Sequence, residues 1–202
     1  MIAEKLAAYL RARSPAGGAC WTVFDRNLVE TVLQDHSLPE RLARFMPERW
    51  VSEIEGTLDE LFGLHPPSWI LVRQTAETIL RLAKLGHVIL IGRGATVITA
   101  KMAQVFHVRL VAPLAKRIER IQQTHGLSAR AALKFIRQAD KGRALYLRKY
   151  YGRDLIDPLL YHLVINTDSM GIDEAAALIA DCALGHRGKP AEHTNLILAS
   201  AA

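Results

Sequence analysis

The sequence is poor in the features that mark secreted, membrane-spanning and metal-binding proteins. Only two of its 202 residues are cysteines, Cys20 and Cys182, and their spacing is not that of a metal site. We expect both to be reduced, buried thiols in a cytoplasmic protein. No apolar run approaches the ~20 residues of a membrane span, and the first residues lack the apolar core of a secretory signal. The eight histidines have no paired spacing, so we expect no metal site built from protein ligands.

Positive charge, in contrast, is abundant in one segment. Residues 116–153 contain eleven Lys or Arg and two acidic residues, a net charge of +9, whereas the whole chain carries +6. A basic surface over a whole domain would favour nucleic acid. One basic segment in an otherwise acidic chain favours a compact polyanion such as a nucleotide. Nucleic-acid binding by this segment stays open as a weaker alternative.

Short apolar segments alternate with amphipathic helical segments along the chain. We predict strands at 20–24, 87–91, 105–111 and 161–165, and helices at 2–13, 27–36, 68–85, 113–125, 129–151 and up to residue 184. We predict a small helical insertion at residues 38–63. The tail, residues 185–202, contains one further strand-like segment. The alternation predicts an α/β fold with a parallel sheet and helices on both faces. Such folds begin with a strand, but this chain begins in a helix.

The apolar run 87–91 is followed by Gly92-Arg93-Gly94. The glycines allow a sharp turn that lies close to a ligand. Arg93 would stand at the carboxyl end of a central strand, where open α/β sheets bind ligands, and a guanidinium group suits phosphate. A glycine turn with a solvated arginine is the alternative interpretation.

The order of several motifs resembles the cytidylate kinase-like family, which comprises P-loop nucleoside monophosphate kinases. These motifs are Asp25-Arg26 and Gly92-Arg93-Gly94, each after a strand, then Arg117-x-x-Arg120, Arg137-x-x-Asp140-x-x-Arg143 and Asn166-Thr167. The similarity extends over residues 1–184, which we expect to form one domain. The resemblance implies transfer of the γ-phosphoryl group of ATP, bound with Mg²⁺, to a nucleoside monophosphate.

The resemblance implies roles for the residues of the basic segment, which is the mobile lid of these kinases. Arg137 and Arg143 would be catalytic, contacting the transferred phosphoryl group, and Arg117 and Arg120 would hold ATP. Asp140 would orient an arginine or bind the acceptor. Solvated helix faces are the alternative, with Arg117 pairing near Glu119.

On the acceptor side, the resemblance implies that Asp25, Arg26 and Arg93 bind the substrate. Asp25 has a second interpretation as a helix cap, a frequent role of aspartate. Gly94 stands where cytidylate kinases usually carry aspartate. The lid arginine pattern is also offset by one residue, so the identity of the acceptor stays open.

The sequence contains no G-x-x-x-x-G-K-[ST] pattern. In the family this P-loop supplies backbone N–H groups that cradle the phosphates of ATP. We therefore expect the chain as given to transfer phosphate poorly or not at all. A start codon assigned too late and a non-catalytic relative that binds a nucleotide or a protein are the two explanations left open.

The family's first strand, absent here, is the central one, between the strands at 87–91 and 105–111. Each buried backbone group left unpaired costs roughly 1–3 kcal/mol, so a gap in mid-sheet must be filled. The unassigned strand-like segment is 195–199. We predict that it lies near the gap or pairs with a sheet edge; direct pairing of the two neighbouring strands, or a partner chain, are the alternatives.

Overall fold

The computed structural model describes residues 2–13, 20–25, 31–32, 35–36, 68–186 and 195–200. It divides into two compact units. The first, the sheet unit, comprises residues 1–25, 79–112 and 158–201, and the second, the helical unit, comprises residues 26–78, 113–157 and 202. The predicted insertion at 38–63 lies outside the described residues, as does most of the helix predicted at 27–36.

Six α-helices, one short 3-10 helix (Pro158–Leu160) and five strands are described. The helices are α1 (Ile2–Arg13), α2 (Ser68–Leu85), α3 (Ala95–Ile98), α4 (Leu114–His125), α5 (Ala129–Tyr151) and α6 (Ile172–Leu184). The strands are β1 (Thr22–Phe24), β2 (Val88–Ile91), β3 (Val105–Val111), β4 (Leu163–Asn166) and β5 (Asn195–Ser200). The division between the units falls within α2, after Thr78.

The strands form one parallel sheet in the order β1-β2-β5-β3-β4. The predicted α/β fold with a parallel sheet is confirmed. Its core joins α1 and α6 to one face of the sheet and includes Leu6, Ile89, Phe106, Ile179 and Leu196. The middle residues of β5, Leu196 to Leu198, are all apolar and buried. This pattern is typical of interior parallel strands, which are covered on both faces.

The gap predicted in mid-sheet is filled by the predicted segment. β5 pairs with β2 through Ile89↔Leu196 to Ile91↔Leu198, and with β3 through Val105↔Asn195 to Leu110↔Ser200. The prediction that the tail lies at this gap is therefore confirmed, and direct pairing of β2 with β3 does not occur.

Two ion pairs show the relative direction of α1 and α6. Lys5 pairs with Asp173 and Arg13 with Asp181. Both partners advance by eight residues from one pair to the next, so the two helices run parallel. This is the direction expected of two helices that are connected in the chain to strands of one parallel sheet.

In the helical unit, α4 and α5 pack through a small core that contains Ile121, Ala132 and Ile136. The predicted helix ends are confirmed: Gly126 follows α4 with φ 64°, and the Ser128 hydroxyl caps α5 by accepting from the Ala131 N–H at 3.3 Å. The connection between the two helices is therefore specified locally.

α6 begins after Gly171, which occupies the N-cap position without a side-chain bond. One smaller expectation, the burial of both cysteines, was wrong. Both cysteines are free, but Cys20 is exposed rather than buried, and Cys182 is half-buried. Among the described helices, none combines the length and apolarity that crossing a bilayer requires.

Candidate functional site

The helical unit holds a cluster of three charged side chains, Arg117, Asp140 and Arg143, which we call the arginine cluster. The Arg117 Nη2 group donates to both carboxylate oxygens of Asp140 at 2.8 Å. The Arg143 Nη2 group donates to Oδ1 of the same carboxylate. One carboxylate thus holds two guanidinium groups, and the cluster keeps a net charge of +1.

Local structure explains half of this arrangement. Asp140 and Arg143 are three residues apart on α5, so they are neighbours on one side of the helix. Arg117 comes from α4 and reaches Asp140 across the helix pair. Arg117 pairs with Asp140, whereas the Glu119 carboxylate accepts from Lys116 at 3.1 Å.

Burial separates the arginine cluster from ordinary surface ion pairs. The side chains of Arg117 and Arg143 are 12% and 18% exposed, whereas Asp140 is 41% exposed. The Nε atom of Arg143 is buried and has no hydrogen-bond partner among the described residues. A buried guanidinium donor of this kind is costly unless an anion or water completes its bonding. The cluster therefore has the chemistry to bind an anion.

Arg137, the other predicted catalytic arginine, lies on a different face of α5. It is six residues from Arg143, which corresponds to a rotation of about 120° at 3.6 residues per turn. Arg137 is exposed and lines an open groove of about 370 Å³ with Arg130, Leu133, Lys134 and Gln138. The three cations of this groove have no ion-pair partner within residues 68–186.

Arg120, predicted to hold ATP with Arg117, is exposed on α4. A separation of three residues turns the two side chains about 60° apart on the helix. Arg117 lies in the arginine cluster and Arg120 lies outside it. The structure thus brings together Arg117, Asp140 and Arg143 from the predicted set.

In the sheet unit, Asp25 and Arg93 lie at the carboxyl edge of the sheet. Asp25 directly follows β1, and Arg93 follows β2, which pairs with β1 in parallel. Both side chains are half-buried. Arg93 was predicted to stand at the carboxyl end of a central strand; it stands at the carboxyl end of β2, an interior strand that lies next to the central β5. Arg26 lies outside the described residues.

The turn that carries Arg93 has an uncommon backbone. Gly92, Arg93 and Gly94 have φ values of 72°, 58° and 70°, all in the left-handed region. Such a conformation costs a non-glycine residue roughly 1–2 kcal/mol. The turn is fixed by the Gly92 N–H, which donates to the Leu198 carbonyl at 3.1 Å, and by the Ala95 N–H, which donates to the Gly92 carbonyl at 3.0 Å.

Sequence reasoning missed a group of three histidines in the sheet unit. The rings of His107 and His162 stack with centroids 5.1 Å apart, and the His186 ring lies 4.7 Å from that of His162. Residues 55 positions apart cannot be paired by spacing, so no signal in the sequence pointed to the group. Within the described stretches, no set of three His, Cys, Asp or Glu side chains has the geometry to hold a metal ion.

Burial favours the neutral form of two of these histidines, His107 and His162. Desolvation, together with the neighbouring His162 and His186, lowers the pKa of His107 to about 4. Its Nε2 lies 2.9 Å from the hydroxyl of Thr99, which donates to the Ala95 carbonyl, so Nε2–H must be the donor. The pKa of His162 is also lowered by burial, and its Nδ1 accepts from the His107 backbone N–H.

Comparisons with solved structures support the fold. A crystal structure of an uncharacterized protein from Eubacterium ventriosum superposes with a TM-score of 0.64 at 17% identity, over 91% of this chain and 90% of that one. At this identity the likeness establishes the fold alone.

Two curated proteins share part of the sequence. A cytidylate kinase of Ignicoccus hospitalis is 33% identical over 93 residues, which is 46% of this chain and 54% of that protein. A uronate isomerase of Corynebacterium glutamicum is 32% identical over 115 residues, 55% of this chain and 21% of that protein. The chain thus spans about half of one relative and about a fifth of the other.

The sequence model of the cytidylate kinase-like family matches residues 2–169. This range contains α4, α5, the arginine cluster and the Arg93 turn, and it ends before α6 and β5. Because the match covers most of the chain, the protein belongs to the cytidylate kinase-like family.

Proposed function

We propose that this protein is a phosphotransferase that acts on ATP and on a nucleoside monophosphate or a similar small phosphorylated acceptor. The observation that carries the proposal is the arginine cluster, because it lies in the family-matched range and holds a buried guanidinium donor without a partner in the described residues. Phosphoryl transfer requires mainly positioning and positive charge around the moving group. The arginine cluster offers both.

In this proposal Arg117 holds the phosphates of ATP, and Arg143 contacts the transferred phosphoryl group. Asp140 is a positioning residue, since its carboxylate fixes both guanidinium groups before the substrate arrives. Pre-positioned charge needs no reorganisation during the reaction, which is the main source of electrostatic catalysis. Arg137 and Arg120 are exposed, and they would engage outer phosphate oxygens.

Asp25 and Arg93, at the carboxyl edge of the sheet, are the proposed acceptor-binding residues, with Arg26 assigned there by the resemblance. An arginine fork suits the phosphate of the acceptor. Among the described residues, no group of three His, Cys, Asp or Glu side chains could hold a metal ion by itself. We therefore propose that Mg²⁺ enters with the phosphates of ATP, where it would neutralise part of their charge.

A second candidate function is supported by a different observation. The 202 residues contain no G-x-x-x-x-G-K-[ST] pattern, and β5 fills the central place of the sheet. Both features favour a non-catalytic relative that binds a nucleotide without rapid turnover. We therefore expect the 202-residue chain to bind nucleotides and to transfer phosphate slowly.

The first test measures binding and turnover separately in the purified chain. Calorimetry with ATP and Mg²⁺ reports binding, and conversion of a nucleoside monophosphate reports transfer. Arginines that contact the transferred group are worth on the order of 10³–10⁵ in rate. We expect Arg143→Ala to lower turnover far more than ATP affinity, and Arg117→Ala to weaken ATP binding.

The matched control is Arg73→Ala. Arg73 is an exposed arginine of the same unit that pairs with Glu77 one helical turn away. This variant should keep both binding and turnover. Binding of ATP by the parent chain without detectable transfer would favour the non-catalytic relative. Unchanged ATP affinity in Arg117→Ala and changes below about threefold in Arg143→Ala would remove the phosphate role from the arginine cluster.

A further inference from the structure

β5 completes the sheet, but it is not continuous in sequence with the strands beside it. Its neighbours β2 and β3 are consecutive strands, connected by residues 92–104. β5 follows α6 after ten residues, 185–194, and it lies outside the family-matched range. The middle of the sheet is therefore supplied by a strand that comes from outside the β2–β3 segment of the chain.

The first residue of β5 makes three hydrogen bonds in the sheet unit. The Asn195 backbone N–H donates to the Gln104 carbonyl at 3.0 Å. Its side-chain Oδ1 accepts from the Val88 N–H at 3.3 Å, and its Nδ2 donates to the Ala83 carbonyl at 2.7 Å. Asn195 is fully buried, so these bonds are shielded from water.

These bonds fix the register of the strand. Leu196 and Leu198 point into the core shared with α1 and α6, and Ile197 is buried on the opposite face. A slip of one residue would exchange the two faces and move the Asn195 amide away from its partners. The gap between β2 and β3 therefore recognises a polar amide followed by three apolar residues.

We propose that this gap is a strand-acceptor site, and that β5 of one copy of the chain can fill the gap of a second copy. The same atoms would meet in either arrangement, so exchange preserves the contacts. The connection of ten residues reaches about 33 Å when extended. A tether that spans the two sites favours the internal arrangement through an effective concentration of about the millimolar range.

The product of mutual exchange is a closed dimer with two-fold symmetry. Each sheet then receives its central strand from the other copy, and the turn that carries Arg93 is bonded to a carbonyl of the partner copy, because Gly92 donates to Leu198. Chains that fold together at high concentration should form this dimer, and chains that fold at high dilution should not.

The first experiment supplies the strand in trans. In the full-length variant Ile197→Pro the tethered strand is disabled, because proline lacks the N–H and cannot occupy a central strand. We expect this variant to lack a cooperative thermal transition. A synthetic peptide of residues 191–202 should restore it, and the same peptide with proline at position 197 should not.

A second peptide tests the recognition by Asn195. Replacing Asn195 by Leu in the peptide removes the two side-chain hydrogen bonds and should weaken rescue at least about tenfold. Equal rescue by both peptides would show that the gap between β2 and β3 does not select for Asn195. A cooperative transition of Ile197→Pro without any peptide would show that the gap does not need β5.

The second experiment uses the unmodified chain. It is unfolded, refolded at about 1 mM and at about 1 µM, and analysed by light scattering after chromatography. The proposal expects a dimer from the concentrated sample and a monomer from the dilute one. A monomer from both samples would overturn the exchange of β5 between copies. If the peptide of residues 191–202 also fails to restore the thermal transition of Ile197→Pro, the acceptor site itself is overturned.

Discussion

The buried polar groups of the sheet unit differ from those of the arginine cluster in the helical unit. In the sheet unit the buried groups are neutral and their bonds are satisfied: Asn195, Thr99 and His107 each have defined partners. In the arginine cluster of the helical unit the largely buried groups are charged, and the Nε of Arg143 has no partner in the described residues.

Buried neutral groups occur in the helical unit as well: the hydroxyl of Thr75 donates to the Leu71 carbonyl, and the hydroxyl of Thr78 donates to Asp35. A satisfied neutral group stabilises a fold, whereas a surplus of buried positive charge is available to an anion.

The energetic consequence differs as well. Burying neutral hydrogen-bonded groups costs little, because each bond to water is replaced by one within the protein. Burying guanidinium groups carries a desolvation cost that one carboxylate offsets only in part. The arginine cluster is therefore weak as a stabilising feature, and a ligand accounts for it better. Three predictions test this contrast.

The largest effect is expected in the sheet unit. Ile197→Ala removes three carbons from a fully buried position of the central strand, and substitutions of this type cost about 2–5 kcal/mol. The denaturant midpoint in urea measures the loss. Leu159→Ala is the control, since Leu159 is 91% exposed and should change stability by less than about 0.5 kcal/mol. Equal midpoints for the two variants would contradict a packed central strand.

The second prediction concerns pH. The pKa of His107 is about 4 in the folded protein and 6.5 in the unfolded chain, so the unfolded state binds a proton first as pH falls. The contribution of neutral His107 to the free energy of unfolding is fully present above pH 6.5. It is lost as the pH falls from 6.5 to 4, at about 1.4 kcal/mol per pH unit and about 3 kcal/mol in total. The lowered pKa of His162 acts in the same direction.

This pH dependence is measured from urea midpoints between pH 7 and pH 4, as the difference between parent and variant. His107→Gln should flatten the slope, because glutamine does not titrate. His125→Gln is the matched control, since His125 is an exposed residue at the end of α4. An unchanged slope in His107→Gln would mean that groups other than His107, among them His162 and the carboxylates, cause the acid sensitivity.

Much of the fold could be predicted because its signals are local. The bounds of α1, α2 and α5 follow from amphipathic periodicity and from glycine or serine at the ends. The place of β5 follows from a physical requirement, since an unpaired gap in mid-sheet is too costly to persist. Such inferences need only the sequence and the cost of an unsatisfied backbone group.

The candidate site could be predicted only in part. The spacing of Asp140 and Arg143 indicates a pair on one helix, but the bond from Arg117 depends on how α4 packs against α5. The shared motif suggested one role for Arg137 and Arg143, although the helical period places them about 120° apart. The stacking of His107 on His162 likewise arises from the pairing of β3 with β4.

The smallest effect is expected in the helical unit, from Asp140→Asn. The substitution keeps the shape of the side chain and removes the charge that holds Arg117 and Arg143. Although the two arginines are largely buried, Asp140 itself is 41% exposed, so water can replace its lost charge, and we expect a loss of only about 1 kcal/mol. Hydrogen exchange of the α4 and α5 amides measures this loss at constant ionic strength.

The informative comparison adds an anion. If the Asp140 carboxylate and a phosphate group compete for the same two arginines, tripolyphosphate should bind Asp140→Asn more tightly. It should then protect the α4 and α5 amides of this variant from exchange more than those of the parent chain. Asp154→Asn is the control, since its carboxylate lies 3.7 Å from the exposed Arg148 and outside the arginine cluster. If tripolyphosphate protects both variants equally, the positive charge of the cluster is balanced within the protein, and the contrast between the two units does not extend to ligand binding.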